Sequence, residues 1–173
     1  MRRVLTVLLL ALCLTGCGAQ ETFETVEDMY QVEEAAVCQQ FVASLPDEAA
    51  APTFQDDSGA ELYVCQGYTI SKQIFPAGDL ENTIRTLTGK SSEELQVIKT
   101  TQGTYDRYDF VWTAAGEEGL QLGRACVLDD GNYHYALSTL AQEETAGSLQ
   151  KTFSDMYDSC RLISPDVNLS TGS

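Results

Sequence analysis

Basic side chains are scarce in this chain of 173 residues: 10 lysines and arginines stand against 26 aspartates and glutamates, a formal net charge of −16. A field of that sign repels phosphate backbones and anionic headgroups, so nucleic acid is disfavoured as a partner. Histidine occurs once, at His134, and no Cys-x-x-Cys pair occurs. A compact zinc site draws on several closely spaced Cys or His ligands, and a thioredoxin-like site needs the cysteine pair; neither pattern exists here. The Gly-x-Ser-x-Gly turn that exposes a serine nucleophile is missing as well. No apolar run reaches the roughly 20 residues that cross a bilayer, and no internal repeat or second domain is visible.

The N-terminus carries the strongest positive signal. Met1-Arg2-Arg3 is a short positive segment, and Val4 to Leu14 is an uncharged apolar one of signal-peptide length. Leu14-Thr15-Gly16-Cys17 then resembles the lipobox of bacterial lipoproteins. That resemblance implies a signal peptide over 1–16 and a diacylglycerol thioether on Cys17. Two acyl chains make a stable anchor at about 0.8 kcal/mol per buried methylene, where one chain is marginal. The expected location is the extracytoplasmic face of a cell membrane, with membrane lipid as a partner through acylated Cys17. Residues 17–25 read as the lipidated N-terminus and an acidic spacer, 26–163 as one domain, and 164–173 as a loose tail. Loss of Arg2 and Arg3 with the leader makes the exported part more acidic still, which keeps it soluble beside the membrane.

Cysteine usage agrees with export. Of six cysteines, Cys13 leaves with the leader and Cys17 carries lipid. Cys38, Cys65, Cys126 and Cys160 remain as disulfide candidates, with three connectivities open. Pairing Cys38 with Cys65 and Cys126 with Cys160 closes two modest loops, each bridge stabilising by roughly 2–4 kcal/mol.

Along the domain, Val26, Tyr30, Val37 and Phe41 fall on one helical face, which predicts a helix from Val26 to Leu45 stopped by Pro46. Pro52 to Gly59 carries turn chemistry. Glu61–Cys65 and Tyr68–Phe75 read as a hairpin joined at Gln66-Gly67. Asp79 is the expected N-cap of a helix bearing Leu80, Ile84 and Leu87, and Gly89 its stop. Ser91 to Glu94 has capping-box spacing. Four strands follow, at Leu95–Thr101, Tyr105–Ala114, Gly119–Leu128 and Tyr133–Leu140, with hairpin turns at 116–119 and 129–132. Leu149, Phe153, Met156, Tyr157 and Cys160 make one stripe on a last helix from Ala146 to Ser159. The expected class is α+β: a central antiparallel sheet with helices packed on it, in one domain.

Several of these segments together resemble a known group. Leu87-Thr88-Gly89, Leu95–Val97, Tyr108-Asp109-Phe110-Val111-Trp112 and Val127–Leu137, followed by the amphipathic helix, are similar to the PsbP-like superfamily. That superfamily includes a photosystem accessory protein and bacterial DcrB-type lipoproteins. The resemblance spans roughly Glu61 to Leu162. It implies an α/β/α sandwich and accessory, assembly or binding work at a membrane surface, with no catalytic residue to carry over.

The remaining chemical signals have plainer readings. Gly89-Lys90-Ser91 ends like a phosphate-binding loop but follows a helix and lacks the earlier glycine, so it reads as a helix stop. His134 reads as a strand histidine on the face opposite Tyr133 and Tyr135. Asp129, Asp130 and Asn132 read as a hairpin turn rather than a calcium loop, and Asp56, Asp57 and Glu61 are likewise not ligands. Tyr108, Phe110 and Trp112 alternate onto one strand face, which is either core or the lining of a ligand face where Arg107 or Arg124 would meet an anion.

The sequence therefore points to a non-enzymatic, membrane-anchored extracytoplasmic lipoprotein without cofactor or metal. Its expected work is binding or assembly for another envelope protein, with small-ligand or cation binding for a transporter or sensor as the alternative. A pocket holding Trp112 with polar rims would favour ligand capture; a flat exposed apolar patch would favour a protein partner.

Overall fold

The computed structural model describes residues 37–116 and 119–164, all within the second of the two units into which the chain divides, Ala36–Ser173. The signal peptide, Cys17, the spacer and the tail from residue 165 lie outside the described residues.

A short strand β1 (Gln40–Val42) pairs antiparallel with the last, β9 (Arg161–Ile163). Between them, β2 (Phe54–Gln55), β3 (Glu61–Cys65), β4 (Tyr68–Pro76), β5 (Ile98–Gln102), β6 (Tyr105–Gly116), β7 (Gly119–Asp129) and β8 (Tyr133–Gln142) build a seven-stranded antiparallel sheet, ordered β2-β3-β4-β8-β7-β6-β5. The tight turns dictate this arrangement, since neighbours joined by a few residues can only run antiparallel. The hairpin β6–β7 closes at Gly116 opposite Gly119, and β8 returns to lie against β4 over the whole of β4's length.

Alternation along the central strands sends side chains to two cores. Ala125 and Val127 face one side with Phe110, Trp112 and Ala136, under helix α1 (Leu80–Thr88) and its Ile84. Cys126 and Leu128 face the other with Tyr135, Leu137 and Ile70, under helix α3 (Gln150–Asp158). The molecule is thus α+β, one sheet with a helix on each face. The caps are those that the sequence specifies. Asp79 accepts a hydrogen bond from the Glu81 amide at 3.0 Å, and Gly89, at φ 71°, takes the left-handed turn in which its N–H reaches the Arg85 carbonyl.

Two helix expectations require correction. The chain at 40–42 is strand, not the end of a helix running from Val26 to Leu45; residues 26–36 lie outside the described set. Val37, assigned to the apolar stripe, is 72% exposed, while Phe41 is buried against Tyr135 with ring centroids 6.1 Å apart. Pairing with β9, a partner far away in sequence, outweighs a local periodicity. The last helix is broken: α2 (Glu143–Ala146) ends before α3 begins at Gln150. The stripe of α3 is nevertheless as expected, with Phe153, Met156, Tyr157 and Cys160 all buried.

All four described cysteines are free thiols in this structure. The pairing of Cys38 with Cys65 does not fit the fold. Cys38 sits by the Tyr135 hydroxyl and Cys65 beside Tyr68, and Tyr135 pairs with Ile74 on the strand that Tyr68 begins. The two ends of β4 are separated by roughly 20 Å of strand, whereas bridged Cα atoms lie within about 7 Å. Cys126 and Cys160 do meet. Their mutual hydrogen bond, and burial after it, push the Cys126 thiol up, and the same bond favours ionisation at Cys160.

At one end of the sheet, Asp130 closes the β7–β8 turn and ties it to the incoming chain. Its carboxylate accepts from the Asn132 and Tyr133 amides, the Tyr135 hydroxyl and the Gln39 amide group, at 2.8–2.9 Å. Burial opposes its ionisation, but those donors prevail and hold the carboxyl below its ordinary 3.8. A carboxyl lowered in the folded state adds stability above its unfolded value, and that stability is lost as pH falls through the folded one. Asp130→Ala should therefore cost about 1–3 kcal/mol at pH 7 and progressively less below pH 4. Denaturant midpoints measured from pH 7 to pH 2 check this; a pH-independent cost would refute it.

Candidate functional site

The length mismatch between β5 and β6 creates the site. β6 pairs with β7 from end to end, but β5 covers it only from Tyr105 to Asp109. The chain entering β5 first passes through a 3₁₀ turn at Ser92–Glu94, closed by a capping box between Ser91 and Glu94. Leu95 and Val97 then pack into the core under α1, and this draws the chain away from the upper half of β6. Among the described residues, no strand lies on the outer side of that half. A pocket of about 560 Å³ opens there, within the range of small-molecule sites.

Apolar atoms dominate its wall, from Leu95, Trp112, Leu122, Ala141 and Phe153, with Lys90, Glu94, Gln96 and Arg124 as polar groups. Gly123 is obligatory at the bottom: a Cβ added there would lie 2.2 Å from Cε2 of Trp112. Gly123→Ala must displace the indole, at an expected cost of about 1–3 kcal/mol and with a changed emission spectrum from the chain's single tryptophan. Thermal melts with fluorescence detection check this, and an unchanged spectrum and stability would contradict the close approach.

Charge at the pocket differs from that of the rest of the surface. Arg124 lies over the Tyr157 ring, 4.4 Å from its centroid, and has no carboxylate partner among the described residues. The Tyr157 hydroxyl donates to the Arg124 carbonyl at 2.6 Å and accepts from Thr139, which fixes the ring beneath the guanidinium. The Ser91 amide and hydroxyl hold the Glu94 carboxyl below its usual range, so it is ionised at neutral pH. Lys90 contributes to that lowering without forming an ion pair. Behind the rim, Ser92 first and Arg85 second hold the Glu81 carboxyl at about 2, linking α1 to the 3₁₀ turn.

The five residues of the expected ligand face do not act as one face. Tyr108, Phe110 and Trp112 share the α1 side, whereas Arg107 and Arg124 point to the α3 side, because they hold the opposite parity along their paired strands. Arg124 lines the pocket, and Trp112 borders it while its indole packs on the other face of the sheet. Phe110 is core and reaches only a smaller hollow of about 250 Å³ beside Ile98 and Arg124. Tyr108 stacks under the Lys99 ammonium at 5.4 Å, away from the pocket. Arg107 is engaged elsewhere. Its guanidinium grips both oxygens of Asp109 at 2.7 and 2.8 Å and donates to the Tyr157 carbonyl at 3.0 Å. Lys90, Glu94, Gln96, Leu122 and Phe153 escaped the sequence reading, because only the divergence of β5 from β6 brings them together.

The other chemical signals resolve as structural features. His134 is buried, with Nδ1 2.8 Å from the Thr83 hydroxyl and Nε2 3.7 Å from Asp129. It joins α1 to the sheet and opens onto no cleft. Asp56 closes its own turn through the Ser58 and Ala60 amides. Among the described residues, no three His, Cys, Asp or Glu side chains are placed to hold a metal ion, and no helix is long and apolar enough to cross a membrane.

Fold and site together define the class: an α+β domain whose seven-stranded antiparallel sheet leaves half of one strand uncovered, with an apolar, single-arginine pocket beside it. No family model matches the chain, and no curated protein matches it. Among solved structures it is similar to LpqN, which is involved in cell envelope biogenesis of Mycobacterium tuberculosis. The TM-score is 0.45 at 11% identity, covering 74% of this chain and 85% of that one.

Proposed function

We propose that this chain is a lipid-anchored, extracytoplasmic binding module that captures a small ligand on behalf of another envelope component. The observation that carries the reading is the pocket: it is bordered by Trp112, has an apolar wall with polar rims, and has a volume suited to a small molecule. Cys17, as a lipobox cysteine, supplies the anchor, and the PsbP-like resemblance of residues 61–162 belongs to the same reading. No catalytic role is assigned, since the described residues pair no nucleophile with a base at an open cleft. Cys17→Ala should release the protein from membranes, as fractionation and radiolabelled-palmitate incorporation would report. Unchanged membrane association would refute the anchor.

A second reading, docking of a protein partner, has its own support. Val111 is 60% exposed where β6 lacks a neighbour among the described residues, an edge onto which an extended peptide could add. Crosslinking in intact cells separates the two: a specific protein adduct through this edge, with no small-molecule occupancy of the pocket, favours the partner.

A further inference from the structure

We propose that the ligand is a single-chain amphiphile ending in a carboxylate, its chain along Leu122, Ala141 and Phe153 and its carboxylate on Arg124. The inference rests on the reading of the pocket as the binding site and goes further by naming the ligand's chemistry.

The charge pattern carries it. Carboxylates outnumber bases heavily in this chain, and five of the described bases are accordingly taken: Lys72, Arg85, Lys99, Arg107 and Lys151 each form an ion pair. Of the other three, Arg161 is exposed and donates to the Ser159 carbonyl, Lys90 stands at the pocket rim beside Glu94, and the third is Arg124. It stands instead on the wall of the main apolar pocket, half-buried and oriented by the Tyr157 ring. A guanidinium presents a planar fork matched to a carboxylate, and low-dielectric walls strengthen that pairing. The same surroundings select the charge number. Lys90 and ionised Glu94 offset each other at the rim, leaving one net positive charge, which suits a monoanion better than a phosphate monoester. The wall decides the rest of the ligand, because its apolar surface is stabilised only by an apolar body.

Calorimetry makes the test direct. Full-length protein made by cell-free synthesis, so that Cys17 carries no acyl chain, is titrated at pH 8 with dodecanoate and with dodecanol. Dodecanoate is expected to bind roughly 10- to 100-fold tighter than dodecanol. Arg124→Gln should remove that preference and leave dodecanol binding unchanged, while Lys90→Gln should alter the ratio by less than about threefold. Equal binding of the two compounds by the wild-type protein overturns the carboxylate assignment and leaves the pocket reading standing. Binding of neither compound overturns both. The wild-type ratio needs no variant, so misfolding of Arg124→Gln would not spoil the test.

Discussion

Asp109→Ala should be the most damaging single substitution in the sheet, costing about 3–5 kcal/mol. The pair that it breaks lies between β6 and the C-terminal end of α3. The Arg107 side chain is only 8% exposed, and its one further partner is the Tyr157 carbonyl. Asp109 meets the guanidinium on both oxygens and thereby offsets the cost of withdrawing that charge from water. Without it a buried cation stays behind, beside the Cys126 and Cys160 side chains. Typical domains unfold with 5–15 kcal/mol in all, so the loss is a large fraction of the whole. At about 4 °C per kcal/mol for a domain of this size, the melting temperature should fall by roughly 12–20 °C. Exchanging both residues for apolar ones of similar volume should recover much of the loss, because no charge is then stranded. A shift below about 2 °C for Asp109→Ala would mean that Arg107 finds water when its partner is removed.

Ile84→Ala should be next in severity, at about 2–5 kcal/mol, with Ile84→Val at about 0.5–1.5. Ile84 is 1% exposed and is the central anchor of a nine-residue helix. Such a helix is too short to persist without tertiary packing. Truncation leaves a cavity between Phe110, Val127 and Ala136 that the sheet cannot close. The effect should reach the pocket as well. α1 ends at the Gly89 cap immediately before Lys90, and Glu81 on α1 accepts a hydrogen bond from the Ser92 amide at 2.9 Å. A loosened α1 therefore loosens the Lys90–Gln96 rim. Hydrogen exchange should show protection lost first in residues 80–97, ahead of β7 and β8. Uniform loss across the domain would show that α1 and the sheet unfold only as one unit.

Much of this architecture was legible beforehand, and the legible parts share one physical property: their determinants are local. Asp79 and Gly89 bound α1 because a cap acts within one turn of backbone. Gly116 opposite Gly119, and Asp130 in its turn, set hairpins because closure spans a few residues. The alternation of Tyr108, Phe110 and Trp112 needed only the period of a strand. The misreadings share the opposite property. Phe41 became strand because β9, at the other end of the domain, pairs with it. The ligand face of five residues dissolved because Arg107 and Arg124 lie on the far side of the sheet from the aromatics, where Asp109 and Tyr157 receive them. His134 is, as expected, a strand histidine on the face opposite Tyr133 and Tyr135; only its partner, the Thr83 hydroxyl on α1, was out of reach of a local reading.

By itself, then, the amino-acid sequence determined most of the elements, their caps and turns and the antiparallel class, since each rests on neighbouring residues. Tertiary structure alone decided which bases stay unpaired, which cysteines meet, and where β6 is left uncovered. Those outcomes depend on distances between chain segments far apart in sequence, which register and packing set and local preference does not.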